Sequence, residues 1–301
     1  MFREGIGEGS SFKALHPVTN LIFYAFVLVI TMFSNSPVYL ACTLVLSWFY
    51  SVLLSGVKQI KTNLLFMLPV TIFMIIFNTL FNHNGSTVLF YLNDQRITLE
   101  SVYYSLAAAV LLSAMIIWFA SFNVIMSSDK LIYIFGKAAP VLGLTMSMIF
   151  RFIPLLRQRY REISMGQKAM GRQEETKFIP KIRQSVKEVS ILISWSLEAS
   201  IETADSMEAR GYGLKGRTSF HLFRLSPADK RMIVLELLTG ALAATGLATG
   251  RTNVYYYPKF TPDEWDMLGI LSLVSYILLM LIQIITDLLG EIKWQQLQQK
   301  I

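Results

Sequence analysis

The sequence predicts an all-α polytopic membrane protein with about six transmembrane helices and a cytoplasmic domain of two long helices. Three observations lead to this fold class. Of the 301 residues, 53% are hydrophobic and only 16% are charged, whereas about 25% of the residues in an average soluble domain are charged. Six apolar stretches each approach the ~20 residues that a helix needs to cross a bilayer. One long polar segment shows helical periodicity.

The six apolar stretches divide into four before the polar segment and two after it. They span residues 18–34, 37–54, 64–81, 101–126, 231–250 and 267–289. The turn signal Asn35-Ser36-Pro37 lies between the first two stretches, which are therefore predicted to form a hairpin.

A further apolar stretch, residues 131–150, contains Gly136, Lys137 and Pro140. Because of these residues we expect a helix at the membrane interface or packed within the protein.

The chain then has three predicted parts. Residues 1–127 hold the first four transmembrane helices, residues 128–230 the interface helix and the cytoplasmic domain, and residues 231–301 the last two transmembrane helices and the C-terminal tail.

Basic residues beside the apolar stretches predict the orientation, because cytoplasmic loops of membrane proteins are enriched in Lys and Arg. The connection 55–63 contains Lys58 and Lys61 and no acidic residue. Residues 151–230 contain 15 basic and 9 acidic residues, whereas residues 251–266 contain two basic and three acidic ones. This distribution predicts that the polar segment and both termini are cytoplasmic.

The polar segment contains two amphipathic patterns. The first is predicted to be a helix with Pro154 in its first turn and an end near Gly171, and the second a helix from about Pro180 to Arg210. At about 1.5 Å per residue, their lengths would be roughly 25 Å and 45 Å. We expect most of the first apolar stripe to pack within the chain. The stripes are Ile149, Ile153, Leu156, Tyr160, Ile163, Gln167 and Met170 in the first helix, and Val186, Val189, Ile193, Leu197, Ser200 and Ala204 in the second.

The segment 206–218, SMEARGYGLKGRT, contains a G-x-G-x-x-G pattern and differs from a P-loop by one residue. Both phosphate-binding motifs need a strand before them and a helix after them, because phosphates bind at a helix N-terminus. Here a predicted helix precedes the glycines. We therefore predict a helix end with Gly211 at the C′ position and Arg210 in the last turn. An exposed Arg at such an end is suited to bind a carboxylate on a partner.

No catalytic or metal-binding pattern stands out. His16, His83 and His221 are scattered, and Cys42 is the single cysteine. Acidic residues in the predicted transmembrane stretches are few, with Glu236 near a beginning and Asp287 near an end. A channel or carrier, or a membrane-embedded enzyme, remains an alternative, although a channel would place ionisable groups or broken helices at mid-membrane.

The two helix ends resemble a known family. RFIPLLRQRYREISMGQKAMGRQ and ETADSMEARGYG resemble the two coupling-helix segments in the transmembrane T component of energy-coupling factor (ECF) transporters, an EcfT/CbiQ-like family. Each segment normally ends in Ala-Arg-Gly. The second match, Ala209-Arg210-Gly211, is complete. In the first, Met170 stands between Ala169 and Gly171 where Arg is expected, and Arg172 follows the glycine.

The resemblance implies a non-catalytic scaffold with two crossed coupling helices and no cofactor. Two cytoplasmic ATPase subunits would hold the ends of these helices at Ala169, Gly171, Arg172, Ala209, Arg210 and Gly211. A small membrane S component would capture a vitamin or metal ion and reorient when ATP drives the ATPases together. The implied location is a prokaryotic cell membrane, and nucleic acid is not an implied partner.

Overall fold

The computed structural model describes residues 6, 9–82, 84–92, 95–170, 178–214, 223–261 and 266–298. Over these ranges the chain forms nine helices and one two-stranded antiparallel sheet. In chain order they are α1 (Pro17–Phe33), α2 (Pro37–Ser55), α3 (Lys58–Phe81), β1 (Val88–Leu92), β2 (Gln95–Thr98), α4 (Leu99–Ile125), α5 (Ser128–Ala138), α6 (Pro140–Ala169), α7 (Phe178–Ala209), α8 (Pro227–Ala248) and α9 (Met267–Gln298). The predicted fold class is confirmed.

By length and composition, six of the described helices are suited to cross a membrane: α2, α3, α4, α6, α8 and α9. The predicted number is therefore confirmed, but the set differs by one helix. The first predicted stretch forms α1, an apolar helix of 17 residues. The sixth candidate is Val141–Ala169 in α6, because the apolar residues after Pro140 continue without a break into the amphipathic pattern.

Residues Met1–Ser127 and Phe223–Ile301 form one compact unit, the membrane unit. Its core is aromatic. The Trp118 ring of α4 lies 6.0 Å from Phe23 of α1 and stacks on Tyr50 of α2 at 6.2 Å between centroids. The Tyr276 hydroxyl of α9 shares hydrogen bonds with the hydroxyls of Thr31 (2.6 Å) and Thr43 (2.9 Å). Buried rings and buried hydroxyl bonds thus join four helices.

Local capping explains where several of these helices begin. Thr98 accepts a hydrogen bond from the Ser101 amide at the start of α4. Ser226 and Asp229 form a reciprocal capping box at the start of α8. Such caps satisfy amide groups that have no partner within the helix.

The connection between α3 and α4 contains the β1–β2 hairpin, which the sequence reasoning missed. The Glu100 carboxylate lies at its base. It accepts hydrogen bonds from the Thr87 hydroxyl at 2.8 Å and from the Thr87 amide and the Ser86 hydroxyl at 3.1 Å. This side chain fastens the hairpin to the first turn of α4.

Residues Ser128–Leu222 form the second compact unit, the helical arm, with α5, α6 and α7. Two predictions for its first part are wrong. The stretch 131–150 is not one helix, because Ala139, which precedes a proline, is extended (φ −144°, ψ 98°) and separates α5 from α6. Pro154 is not in a first turn but inside α6, which begins at Pro140.

The second predicted helix of the arm is confirmed, since α7 runs from Phe178 to Ala209. Because α6 has 30 residues and α7 has 32, both helices are about 45 Å long or slightly longer. The first is therefore much longer than expected.

Candidate partner-docking site at the helix ends of the arm

α6 and α7 pack through an aromatic contact that the sequence reasoning did not single out. Trp195 of α7 stacks on Phe152 of α6 with 6.3 Å between ring centroids, and the Arg159 guanidinium lies 5.0 Å from the Trp195 ring. The less exposed residues of α7 follow a helical period on one face: Gln184, Glu188, Leu192, Trp195 and Ala199. In the sequence, this packing face could have been recognised from Trp195, which recurs at helical spacing with small and polar residues.

The predicted apolar stripe of α7 lies outside this face. Val186 is 61% and Leu197 is 63% exposed, and Val189 and Ile193 are exposed as well. On α6, the stripe residues Leu156, Tyr160, Ile163 and Gln167 are half-buried, whereas Ile149, Ile153 and Met170 are exposed. Internal packing therefore accounts for part of the α6 stripe and leaves the α7 stripe uncovered by the described residues.

The end of α7 confirms the predicted helix cap. The Tyr212 amide donates to the Met207 carbonyl at 3.0 Å, and the Gly211 amide donates to the Glu208 carbonyl at 2.8 Å. This is a Schellman motif with Gly211 at C′, where φ is +76°. A methyl group at Gly211 would lie 2.9 Å from a terminal methyl of the exposed Leu214 side chain, which can turn away, so the positive φ is the reason for a glycine here.

Ala209 and Arg210 are exposed at this end. Arg210 forms no ion pair with any residue in the described ranges. Because the carbonyl groups of the last turn concentrate partial negative charge there, a cation is stabilised at this position. The second half of the glycine pattern, including Gly216, lies outside the described residues.

The end of α6 is described only in part. Ala169 is the last helical residue and is exposed. The Met170 amide bonds to the carbonyls of Gly166 and Lys168, and its side chain is 73% exposed. Gly171 and Arg172 lie outside the described residues.

The described ranges contain no group of three or more His, Cys, Asp or Glu side chains that is suited to hold a metal ion. Two of the three histidines, His83 and His221, lie outside these ranges. The described part of the arm therefore offers exposed apolar surface and, next to the Schellman motif, the exposed Arg210 as means of contact.

Comparison with known proteins assigns the chain to a family. The family described as CbiQ, cobalt transport protein, matches residues 8–221, which is more than half of the chain. The chain belongs to the CbiQ/EcfT family. Members of this family are transmembrane components of transporters, so the chain is the transmembrane component of an ECF transporter and a multi-pass membrane protein.

Several relatives are named energy-coupling factor transporter transmembrane protein EcfT. The protein from Lactococcus lactis subsp. cremoris is 30% identical over 230 residues, which cover 71% of this chain and 85% of the relative. The protein from Streptococcus thermophilus is 27% identical over 78% of this chain and 94% of its own length. That from Streptococcus equi subsp. equi is 28% identical over 76% and 82%.

Proposed function

We propose that this CbiQ/EcfT chain is the non-catalytic scaffold of an ECF-type importer for a vitamin or a metal ion. It couples ATP binding and hydrolysis by two cytoplasmic ATPase subunits to the reorientation of a small, substrate-binding S component in the membrane. In this proposal α7, the C-terminal end of α6 and both termini face the cytoplasm of a prokaryotic cell.

The observation that supports the proposal most directly is the end of α7. Arg210 is exposed and unpaired within the described ranges, and a Schellman motif fixes the backbone next to it. A guanidinium held in this way forms bidentate hydrogen bonds with a carboxylate at low entropic cost. The small residues Ala209 and Gly211 on either side let the helix end enter a groove on the ATPase.

The same reasoning assigns a second docking end to Ala169, Gly171 and Arg172. Met170 occupies the position of the family's Arg and offers no charge. We propose that Arg172 supplies the missing cation at this end.

The decisive experiment is Arg210→Glu in the complete transporter. Truncating one partner of a buried charge pair costs about 2–5 kcal/mol, and a reversed charge adds repulsion. We therefore expect ATP-driven uptake and co-purification of one ATPase to fall more than about tenfold, with normal membrane insertion. Arg183→Glu changes another exposed arginine of α7 and is the matched control. It should retain ATP-driven uptake and co-purification of the ATPase.

Normal uptake and normal ATPase recovery in Arg210→Glu would refute the docking role. Arg172→Glu tests the other end in the same assay. A comparable loss there is the expected result, and unchanged uptake would remove Arg172 from the proposal.

A further inference from the structure

Asp287 and Glu236 are both buried in the membrane unit, and their surroundings differ. Asp287 of α9 accepts hydrogen bonds from the Ser10 hydroxyl, the Phe12 amide and the Tyr50 hydroxyl, at 2.7–2.9 Å. Glu236 of α8 is 0% exposed, and neither of its carboxylate oxygens has a hydrogen-bond partner among the described residues. An unpartnered charged carboxylate in a transmembrane segment is costly, so the group must either carry a proton or be balanced by a bound cation.

Six other buried side chains in the described part of this unit also have an oxygen without a partner: Thr19, Asn20, Ser34, Ser113, Thr252 and Gln283. Of these, Thr19, Asn20 and Gln283 are the ones that the helix register brings to the level of Glu236. The orientation of both amides follows from their nitrogen atoms. The Asn20 amide nitrogen donates to the Phe12 carbonyl at 3.2 Å, which leaves its oxygen unpaired.

A chain of donors fixes Gln283 in the same way. The Gln283 amide nitrogen donates to the Tyr24 hydroxyl at 2.9 Å, and Tyr24 donates to Ser121 at 3.3 Å. Ser121 in turn donates to the Trp118 carbonyl at 2.8 Å. This chain uses one N–H of the Gln283 amide, and the Gln283 amide oxygen has no partner among the described residues.

The helix register places these oxygens near one level of the unit. Asp229, Glu236 and Gly240 share one face of α8, because they are seven and four residues apart. The His16 amide bonds to Asp229 at 3.0 Å, and Phe26 lies against Gly240, so this face is directed at α1. Thr19 is on the same face of α1 as Phe26, seven residues earlier. The Glu236 side chain leans towards the start of α8 and therefore towards the level of Thr19.

The register between α8 and α9 gives the level of Gln283 relative to Glu236. The Ser272 hydroxyl donates to the Ala243 carbonyl at 2.8 Å, which sets the register of antiparallel α8 and α9. Gln283 lies eleven residues after Ser272 and Glu236 seven before Ala243. At about 1.5 Å per residue, Gln283 and the Glu236 carboxylate are then within about one helical turn of each other along the bundle.

From this arrangement we propose that Thr19, Asn20, Glu236 and Gln283 bind one monovalent alkali cation, with Na⁺ as the probe. The set consists of five unpartnered oxygens, which is the ligand type that hard cations select. A proton on Glu236 would supply one donor to this set, whereas a cation contacts all of its members. The single negative charge of Glu236 balances one positive charge, and a divalent ion would leave a net charge in an apolar region.

The test uses the full chain purified in detergent. Radioactive Na⁺ should bind saturably at one ion per chain, and the unfolding temperature should rise by several degrees when choline chloride is replaced by NaCl at equal ionic strength. Glu236→Gln should weaken Na⁺ binding more than about tenfold. Glu100→Gln changes a buried carboxylate that accepts hydrogen bonds from Ser86 and Thr87, just before β1, and this control should bind Na⁺ normally.

The ion-replacement measurement on the unmodified chain keeps the proposal testable if Glu236→Gln does not fold. Equal unfolding temperatures in Na⁺, K⁺, Li⁺ and choline, without saturable Na⁺ binding, would overturn it and identify Glu236 as a neutral carboxylic acid. Stabilisation by Ca²⁺ alone would overturn the assignment of a monovalent ion.

Discussion

The membrane unit and the helical arm differ in how much of their apolar side chains they bury against their own chain. In the membrane unit, large side chains such as Trp118, Tyr24 and Tyr276 are fully buried against their own chain. In the arm, the apolar residues of α7 are mostly exposed, including Val186 and Leu197. Contiguous exposed apolar surface marks interaction sites rather than internal packing. The membrane unit therefore has a core of its own beside exposed apolar residues such as Phe73 and Phe81 of α3, whereas the described residues of α7 present most of their apolar side chains as surface.

The polar side chains of the two units also differ in their hydrogen-bond partners. In the membrane unit, hydroxyls and carboxylates join distant parts of the sequence, as Tyr50 does with Asp287. In the arm, hydroxyls bond back to their own helix, as Ser200 does with the Ser196 carbonyl and Thr203 with the Ala199 carbonyl. Bonds of the second kind satisfy the side chain without fixing one helix against another.

The largest effect that we predict from this comparison is that of Trp118→Ala in the membrane unit. Trp118 contacts Phe23, Tyr24 and Tyr50, and its removal leaves a cavity at the meeting point of three helices. We expect a loss of about 3–5 kcal/mol in the free energy of unfolding, as for other large aromatic residues in cores. Thermal unfolding of the purified chain in detergent measures it.

Phe119→Ala provides the matched control, because Phe119 is the next residue of α4 and is exposed. It should lower the unfolding temperature much less than Trp118→Ala. Equal losses for the two variants would contradict the view that packing within the chain holds this unit together.

A smaller effect is predicted for Trp195→Ala in the arm. The variant removes the stacking on Phe152 and the contact with the Arg159 guanidinium. Such contacts contribute about 0.5–2 kcal/mol each. Hydrogen exchange measured by mass spectrometry should increase in α6 and α7, and Trp195→Phe should restore part of the protection. Unchanged exchange in Trp195→Ala would show that the two helices do not depend on this contact.

The sequence predicted the features that depend on local physics. Five of the six candidate transmembrane helices follow from the length of an apolar run, since a helix must satisfy its backbone in lipid. The end of α7 follows from Gly211, because few other residues adopt a positive φ at C′.

The missed features depend on residues that are distant in sequence or on competing local signals. Pro154 resembles a helix start, but the earlier Pro140 begins the helix and the neighbouring structure tolerates the second proline. The helical period of α7 identifies an apolar face and a face that contains Trp195. It does not predict which of the two faces packs against α6. Glu236 was expected near the beginning of a transmembrane stretch, and its complete burial emerges only when α1, α8 and α9 are packed together.

The smallest predicted effect is that of Leu197→Ala, and it tests the exposed stripe of α7 most directly. Because the Leu197 side chain is 63% exposed, its truncation should change the stability of the isolated chain by no more than about 0.5 kcal/mol. Leu192→Ala is the matched variant, since Leu192 lies on the face that contains Trp195 and is half-buried. It should increase hydrogen exchange in α6 and α7 more than Leu197→Ala does. If Leu197→Ala instead has the larger effect, the stripe is already covered within the chain, and the division between a self-packed membrane unit and a partner-binding arm fails.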